Sequence, residues 1–235
     1  MQNLNMRKLQ QLWRFNEPVI TCAIIAICVL MWCIEIITYY FMPQAYNMLM
    51  NNTAFVSYLN SHTAYSWFTS MFVHAPNFTH IAFNMMSLWV LGRELEKLMG
   101  HWNYLFLYII SGLGGAAAVS LWSLVSHNLM AVYGASGAIF GLFATMFVVY
   151  RRTGMEMRSI TLWLILNLAW PLFVPNIAWQ SHLGGFLAGG ILAVLLIYGL
   201  KGLRSASLSK RSLIYGVPLA IVLFAGMYAF LYFAF

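Results

Sequence analysis

Tyr133-Gly134-Ala135-Ser136-Gly137-Ala138-Ile139-Phe140-Gly141 opens an apolar segment, about 133–150, with a serine boxed by glycines where a spanning helix begins. The stretch puts a hydroxyl inside a membrane, where an unpartnered polar group is costly. Such a serine either packs or reacts, and the rest of the chain bears on which.

Of 235 residues, 62% are hydrophobic and 7% charged, where soluble domains carry roughly 25% charge. With a mean hydropathy of +0.78, the chain is expected to be an integral membrane protein. About 20 apolar residues are needed per span, so six or seven helices use nearly the whole length. Apolar windows fall at about 18–42, 78–92, 102–125, 133–150, 159–174, 177–199 and 213–235. They predict an all-α polytopic fold of seven helices, the second and fifth of them short.

The 17 residues before Pro18 carry Arg7, Lys8, Arg14 and Glu17 and lack the apolar core and cleavage site of a removable signal, so a cytoplasmic tail is expected. Arg93 and Lys97 follow the second window; Arg151, Arg152 and Arg158 join the fourth and fifth; Lys201, Arg204, Lys210 and Arg211 join the sixth and seventh. All 12 basic residues thus fall on one side, and the connections at 43–77, 126–132 and 175–176 have none. The excess of basic residues on cytoplasmic loops puts the N-terminus inside and the C-terminus outside. A pI near 9.5 therefore reports topology, and the scattered charges form no face for nucleic acid. The uncharged connection 43–77, with Tyr58, Tyr65, Trp67, Phe68 and Phe72, suits a loop lying in the membrane interface. Cys22, Cys28 and Cys33 share the first window and read as buried thiols.

In this topology Ser136 lies about 5 Å below the outer end of the fourth helix at 1.5 Å per residue. His182, in Trp179-Gln180-Ser181-His182-Leu183-Gly184-Gly185, enters the sixth helix at similar depth. Gly137 and Gly141 form one ridge of small residues and Gly185 and Gly189 another, and facing ridges of this kind let two backbones approach until serine and histidine touch. His80 and Asn84, at i and i+4 of the second helix, share a face. With the Ser136 N–H near a helix N-terminus they would make an oxyanion site. A triad needs a carboxylate to orient its histidine, yet the chain has no Asp, and Glu17, Glu94, Glu96 and Glu156 fall on the cytoplasmic side. Glu35, in the first helix, is given no role. A Ser136–His182 dyad is the economical reading, with Phe140 one turn below Ser136 stacking on the imidazole.

The ordered set His80-x-x-x-Asn84, Gly134-Ala135-Ser136-Gly137 and His182-x-x-Gly185-x-x-x-Gly189, with Gly92-x-x-x-Glu96-x-x-x-Gly100, resembles the rhomboid intramembrane serine proteases over about 65–190. The resemblance implies Ser136 as nucleophile, His182 as general base, and His80, Asn84 and the Ser136 amide as the oxyanion site. It implies a rhomboid-like six-helix core at 18–199, preceded by the 1–17 tail and followed by a cytoplasmic basic loop and a seventh helix at 200–235. It also implies a small side chain before the scissile bond. Three positions depart from the family pattern: Ser66 precedes Trp67 with no Trp-Arg pair, Ser181 stands where Ala is common, and Phe140 where Tyr is common.

The expected function is an intramembrane serine endopeptidase that cuts transmembrane protein substrates near their outer end, within the lipid bilayer of a bacterial plasma membrane. Gln180, Ser181, His80 and Asn84 would keep water at the site. Substrate would enter sideways, past the fifth helix with Trp163, Trp170 and Pro171, beside the second. No cofactor, metal or nucleic acid is implied. His62, His74 and His80 lack the Cys or carboxylate neighbours of a usual metal cluster; His62, His101 and His127 are expected in solvated loops, and the 15 methionines are packing residues. Two other classes stand beside this one: an inactive rhomboid-like protein that binds membrane clients, and a small-solute transporter, for which no inverted repeat is visible.

Overall fold

A computed structural model describes residues 17–57, 64–169 and 178–233 of the chain. The 1–16 part of the expected tail, together with His62, Trp170 and Pro171, lies outside the described residues. Helix α1 (Val19–Phe41) runs for about 35 Å at 1.5 Å per residue, long enough to cross a bilayer, and gives way at Met42 to α2 (Pro43–Thr53), which has proline at its start. Strand β1 (Phe55–Val56) and the single turn α3 (Ser66–Thr69) follow. Then come α4 (Phe78–Met99), α5 (His101–Ser126), β2 (Ala131–Val132), α6 (Ser136–Thr153), α7 (Arg158–Ala169), α8 (Trp179–Tyr198) and α9 (Leu208–Phe233). The protein is an all-α polytopic membrane protein: α1, α5, α8 and the Leu208–Tyr228 part of α9 are long and apolar enough to span by themselves.

Helix α6, which with α4 and α7 falls outside that set, explains the arrangement. Every residue from Gly137 to Met146 is buried, so α6 is enclosed by other helices and needs no lipid-facing apolar surface. Around it Leu88, Leu91, Leu95, Tyr104, Leu107, Tyr108, Leu142 and Phe143 form a fully enclosed core. Glycines set its distance from α8. A Cβ on Gly185 would collide with the carbonyl of Gly137, and one on Gly189 with the backbone of Gly141. The hydroxyl of Thr145 spans the same contact, donating to Gly141 O at 2.9 Å and reaching Gly189 O at 3.3 Å. Gly114 of α5 meets Gly184 and Ala188 of α8 in the same manner.

The second helix is longer than the sequence suggests. Arg93, Glu94, Glu96 and Lys97 carry α4 beyond its apolar window, and it stops at Gly100, whose φ of +78° ends the helix and whose N–H donates to Glu96 O. Composition marks where a helix leaves the apolar layer, whereas backbone chemistry marks where it ends. Glu96 itself is wholly buried. Its carboxylate accepts from the N–H groups of Ile20 and Thr21, both at 2.8 Å, and from the Thr21 hydroxyl at 2.7 Å. It thereby caps α1, whose own flanking residue, Pro18, supplies no side-chain cap. His101, expected in a solvated loop, is buried against the same carboxylate at 2.5 Å.

The connection after α1 is the exposed helix α2, a short ribbon and a turn, with no further span among its described residues. Phe55 pairs with Val132 and Val56 with Ala131, antiparallel, so this connection is laced to the residues just before Ser136. Two-residue strands carry no periodicity, and the ribbon was invisible in the sequence. Replacing Gly185 with Val is expected to cost about 3 kcal/mol by overpacking and to lower the thermal midpoint in detergent by roughly 6–12 °C. Gly202→Ala, at a position with nothing within 4 Å, should leave the midpoint unchanged.

Candidate active site

The chain turns into α6 at Gly134, whose φ of +119° is a left-handed conformation suited to glycine. Its N–H donates to Ser70 O at 2.8 Å, and a Cβ there would crowd the His80 imidazole at 3.2 Å. Ser136 is thus the first residue of α6, half-buried, and its N–H belongs to the helix end that lacks intrahelical acceptors. His182 is the fourth residue of α8. Across the glycine contact, Ser136 Oγ lies 2.9 Å from His182 Nε2.

Phe140 lies flat on the His182 ring, with centroids 4.2 Å apart and planes 8° from parallel. Among the described residues Nδ1 of His182 has no hydrogen-bond partner. Glu35, the buried carboxylate of α1, accepts instead from the His74 N–H at 3.0 and 3.2 Å. The ring is therefore held by stacking and by the serine.

His80 begins its helix under an Asn77 cap, where Asn77 Oδ1 accepts from His80 N at 2.8 Å. Its Nδ1 accepts from the Ala75 N–H at 3.2 Å, so the proton of the neutral ring sits on Nε2, the atom that faces Gly134. Asn84 spends one amide hydrogen on His80 O at 2.8 Å and has a second available. His80, Ser136 and His182 line a cavity of about 320 Å3 with Ser70, Met71 and Ser181. The same three line a smaller one of about 40 Å3 with Asn84, Phe83 and Asn167. Of the residues expected to keep water, Ser181 faces the larger cavity. Gln180 is instead engaged by indoles, its carbonyl oxygen accepting from Trp122 Nε1 at 3.0 Å and Trp179 Nε1 at 3.3 Å.

His74, a metal alternative in the sequence, is wholly buried, 5.3 Å from the His80 ring between centroids. Burial pushes its pKa down to about 3, which keeps the ring neutral, and its Nε2 stands 3.5 Å from the Ala135 N–H. No group of three His, Cys, Asp or Glu able to hold a metal occurs among the described residues. The segment 70–77 therefore touches both His80 and the approach to Ser136, a role for which the sequence offered only the proximity of His74 and His80.

Residues 61–199 match the Rhomboid domain family. The chain is 35% identical over 127 residues to RHOMBOID-like protein 5 of Arabidopsis thaliana, an alignment covering 51% of this chain and 40% of that protein. It is 33% identical over 159 residues to Rhomboid protease GluP of Bacillus subtilis (66% and 29%). It is 31% identical over 165 residues to Rhomboid protease AarA of Providencia stuartii (59% and 58%). The chain thus spans from under a third to a little over half the length of these relatives. With a domain match over more than half of its residues and an all-α membrane bundle around it, this membrane protein belongs to the rhomboid family.

Proposed function

We propose that this chain is an intramembrane serine endopeptidase that cuts transmembrane segments of other proteins near their outer ends. The observation that carries the reading is the 2.9 Å approach of Ser136 Oγ to His182 Nε2, at the edge of a cavity that also receives the His80 ring. His182 takes the hydroxyl proton as Ser136 attacks the scissile carbonyl, and returns it to the leaving amine. His80 Nε2–H, the free amide hydrogen of Asn84 and the Ser136 N–H meet the oxyanion, aided by the N-terminus of α6. A second cycle with water as nucleophile frees the acyl-enzyme. A helical carbonyl is already hydrogen-bonded, so the substrate must unwind first, and helix-weakening Gly or Pro near the cut favours cleavage. Met71, Gly112 and Ala116 wall the cavity and suit a small side chain before the scissile bond.

The catalytic unit is assigned to 18–199, with α9 appended against α5. The N-terminus is placed in the cytoplasm and the C-terminus outside, because Arg93, Lys97, Arg151, Arg152, Arg158, Lys201, Arg204, Lys210 and Arg211 cap the end remote from Ser136. Entry is assigned to the α4–α7 side. Only Ile160 is buried among the residues of α7, and that helix meets α4 through stacked Phe83 and Trp163 rings, 6.5 Å apart, and a Ser87 to Asn167 hydrogen bond of 3.3 Å.

Purified chain in detergent should cleave a fluorescent transmembrane substrate and react with a fluorophosphonate probe. Ser136→Ala should abolish both, His182→Ala should reduce cleavage below detection, and His80→Ala should lower kcat by roughly 10²–10³-fold. A fold-intact chain that binds such segments without cutting them would instead be a client-binding protein. Joining Ser87→Cys to Asn167→Cys with a short thiol cross-linker, in a chain whose exposed Cys22 and Cys33 are Ser, should stop cleavage of the transmembrane substrate while probe labelling of Ser136 persists. In the same background, Asn128→Cys should react with an impermeant maleimide added to intact cells, and Ser207→Cys only after permeabilisation. The reverse pattern would invert the orientation.

A further inference from the structure

Glu35 is a wholly buried carboxylate in a spanning helix that the proposed reaction does not use. It shares one stripe of α1 with Cys28 and Trp32, at i, i+4 and i+7. All three reach the main chain of the segment between α3 and α4. Cys28 Sγ is 3.9 Å from Met71 O, Trp32 Nε1–H donates to Ala75 O at 3.2 Å, and the two Glu35 oxygens accept from the His74 N–H at 3.2 and 3.0 Å.

The two stronger ties bracket one group. The His74 N–H is fixed on one side of the His74–Ala75 peptide, and the Ala75 carbonyl on the other. Between them the Ala75 N–H donates to His80 Nδ1 at 3.2 Å. That bond decides what His80 offers to the cavity. While Nδ1 accepts, the proton resides on Nε2, which lies beside Gly134 at the cavity that His80 shares with Ser136. Were the Ala75 amide to turn away, the proton could move to Nδ1. Nε2 would then present a lone pair to a developing negative charge.

We propose that Glu35 and Trp32 are positioning residues: through the His74–Ala75 peptide they hold the Ala75 N–H on His80 and keep its Nε2–H directed into the oxyanion site. The proposal rests on the reading of His80 as an oxyanion donor. It differs from a packing role in its consequence, because its cost falls on the chemical step and passes through a single imidazole. A packing role would tax stability and leave the histidine's contribution intact.

The experiment is a double-mutant cycle on the full chain, read as kcat and KM for a transmembrane substrate and as the rate of fluorophosphonate labelling. Glu35→Leu is expected to lower kcat about 10–100-fold with KM within about twofold, the loss of part of one oxyanion donor. Glu35→Gln, whose amide oxygen can still accept from His74, should come back to within about threefold of the parent. In a His80→Ala background Glu35→Leu should cost nothing further, since the residue through which it acts is gone. Losses that multiply, an undiminished kcat in Glu35→Leu, or a Gln variant as poor as Leu would each overturn the proposal. If Glu35→Leu does not fold, Trp32→Phe removes only the donor to Ala75 O and runs the same cycle with the same outcomes. A His80→Ala chain with parental kcat would sink the oxyanion assignment, and Ser136→Ala tests the nucleophile separately, so the three failures are distinguishable.

Discussion

The contact between α6 and α8 sets the terms for everything at this end of the bundle. A hydroxyl on one helix and an imidazole on another can meet at 2.9 Å only when the backbones lie closer than ordinary side chains permit. The apolar medium gives no hydrophobic drive to bring them together. What remains is dispersion between surfaces that fit, and Gly137 against Gly185, with Gly141 against Gly189, provides that fit. The Thr145 hydroxyl bridges the same surface. Interhelical hydrogen bonds of this kind average only about 0.6 kcal/mol, so packing, rather than polarity, fixes where Ser136 and His182 stand.

Once α6 is that tightly enclosed, the polar groups around it must be satisfied from within the protein. The structure does this with side chains that reach across to backbone. Glu96 serves the unsupported start of α1 at the basic end, and Glu35 serves the loop before α4 at the other. Both are buried carboxylates accepting from main-chain N–H groups, and both link α1 to the α3–α4 region. The first helix is in this way tied at one end to the helix that carries His80 and at the other to the loop that leads into it. Its lipid-exposed residues, Leu30, Ile37 and Phe41 among them, leave one narrow stripe for those ties.

The parts legible in the sequence are those whose physics is local. Spacing gave the helices, small-residue ridges gave the α6–α8 contact, and counting residues from a basic-free loop brought Ser136 and His182 to one depth. The parts that escaped depend on partners far away along the chain. Nothing near Glu35 announces His74, 39 residues later, and nothing near His101 marks it as buried, because its partner Glu96 belongs to the helix before. The β1–β2 ribbon is too short to have a period. The extent of α4 was underestimated for a related reason: charge ends an apolar window, but only Gly100 ends the helix.

The want of a carboxylate at His182 is the feature most in need of physical explanation. In a triad the acid fixes the tautomer and offsets the imidazolium that forms. Here a stacked Phe140 can fix the plane of the ring and, through the negative face of its π-system, offer a modest attraction to a cation. It cannot choose the tautomer. The proposed reaction needs the tautomer in which the Ser136 hydroxyl donates to Nε2 and the proton stays on Nδ1. The resulting base is weaker than one backed by an anion, and in a low-dielectric setting the developing charges are worth more to whatever dipoles are already aimed at them. The demand on the oxyanion site is correspondingly greater in the proposed reaction. On this argument the segment 70–77, which holds Gly134 through the Ser70 carbonyl and His80 through the Ala75 amide, compensates in the proposed reaction for what is lacking behind His182.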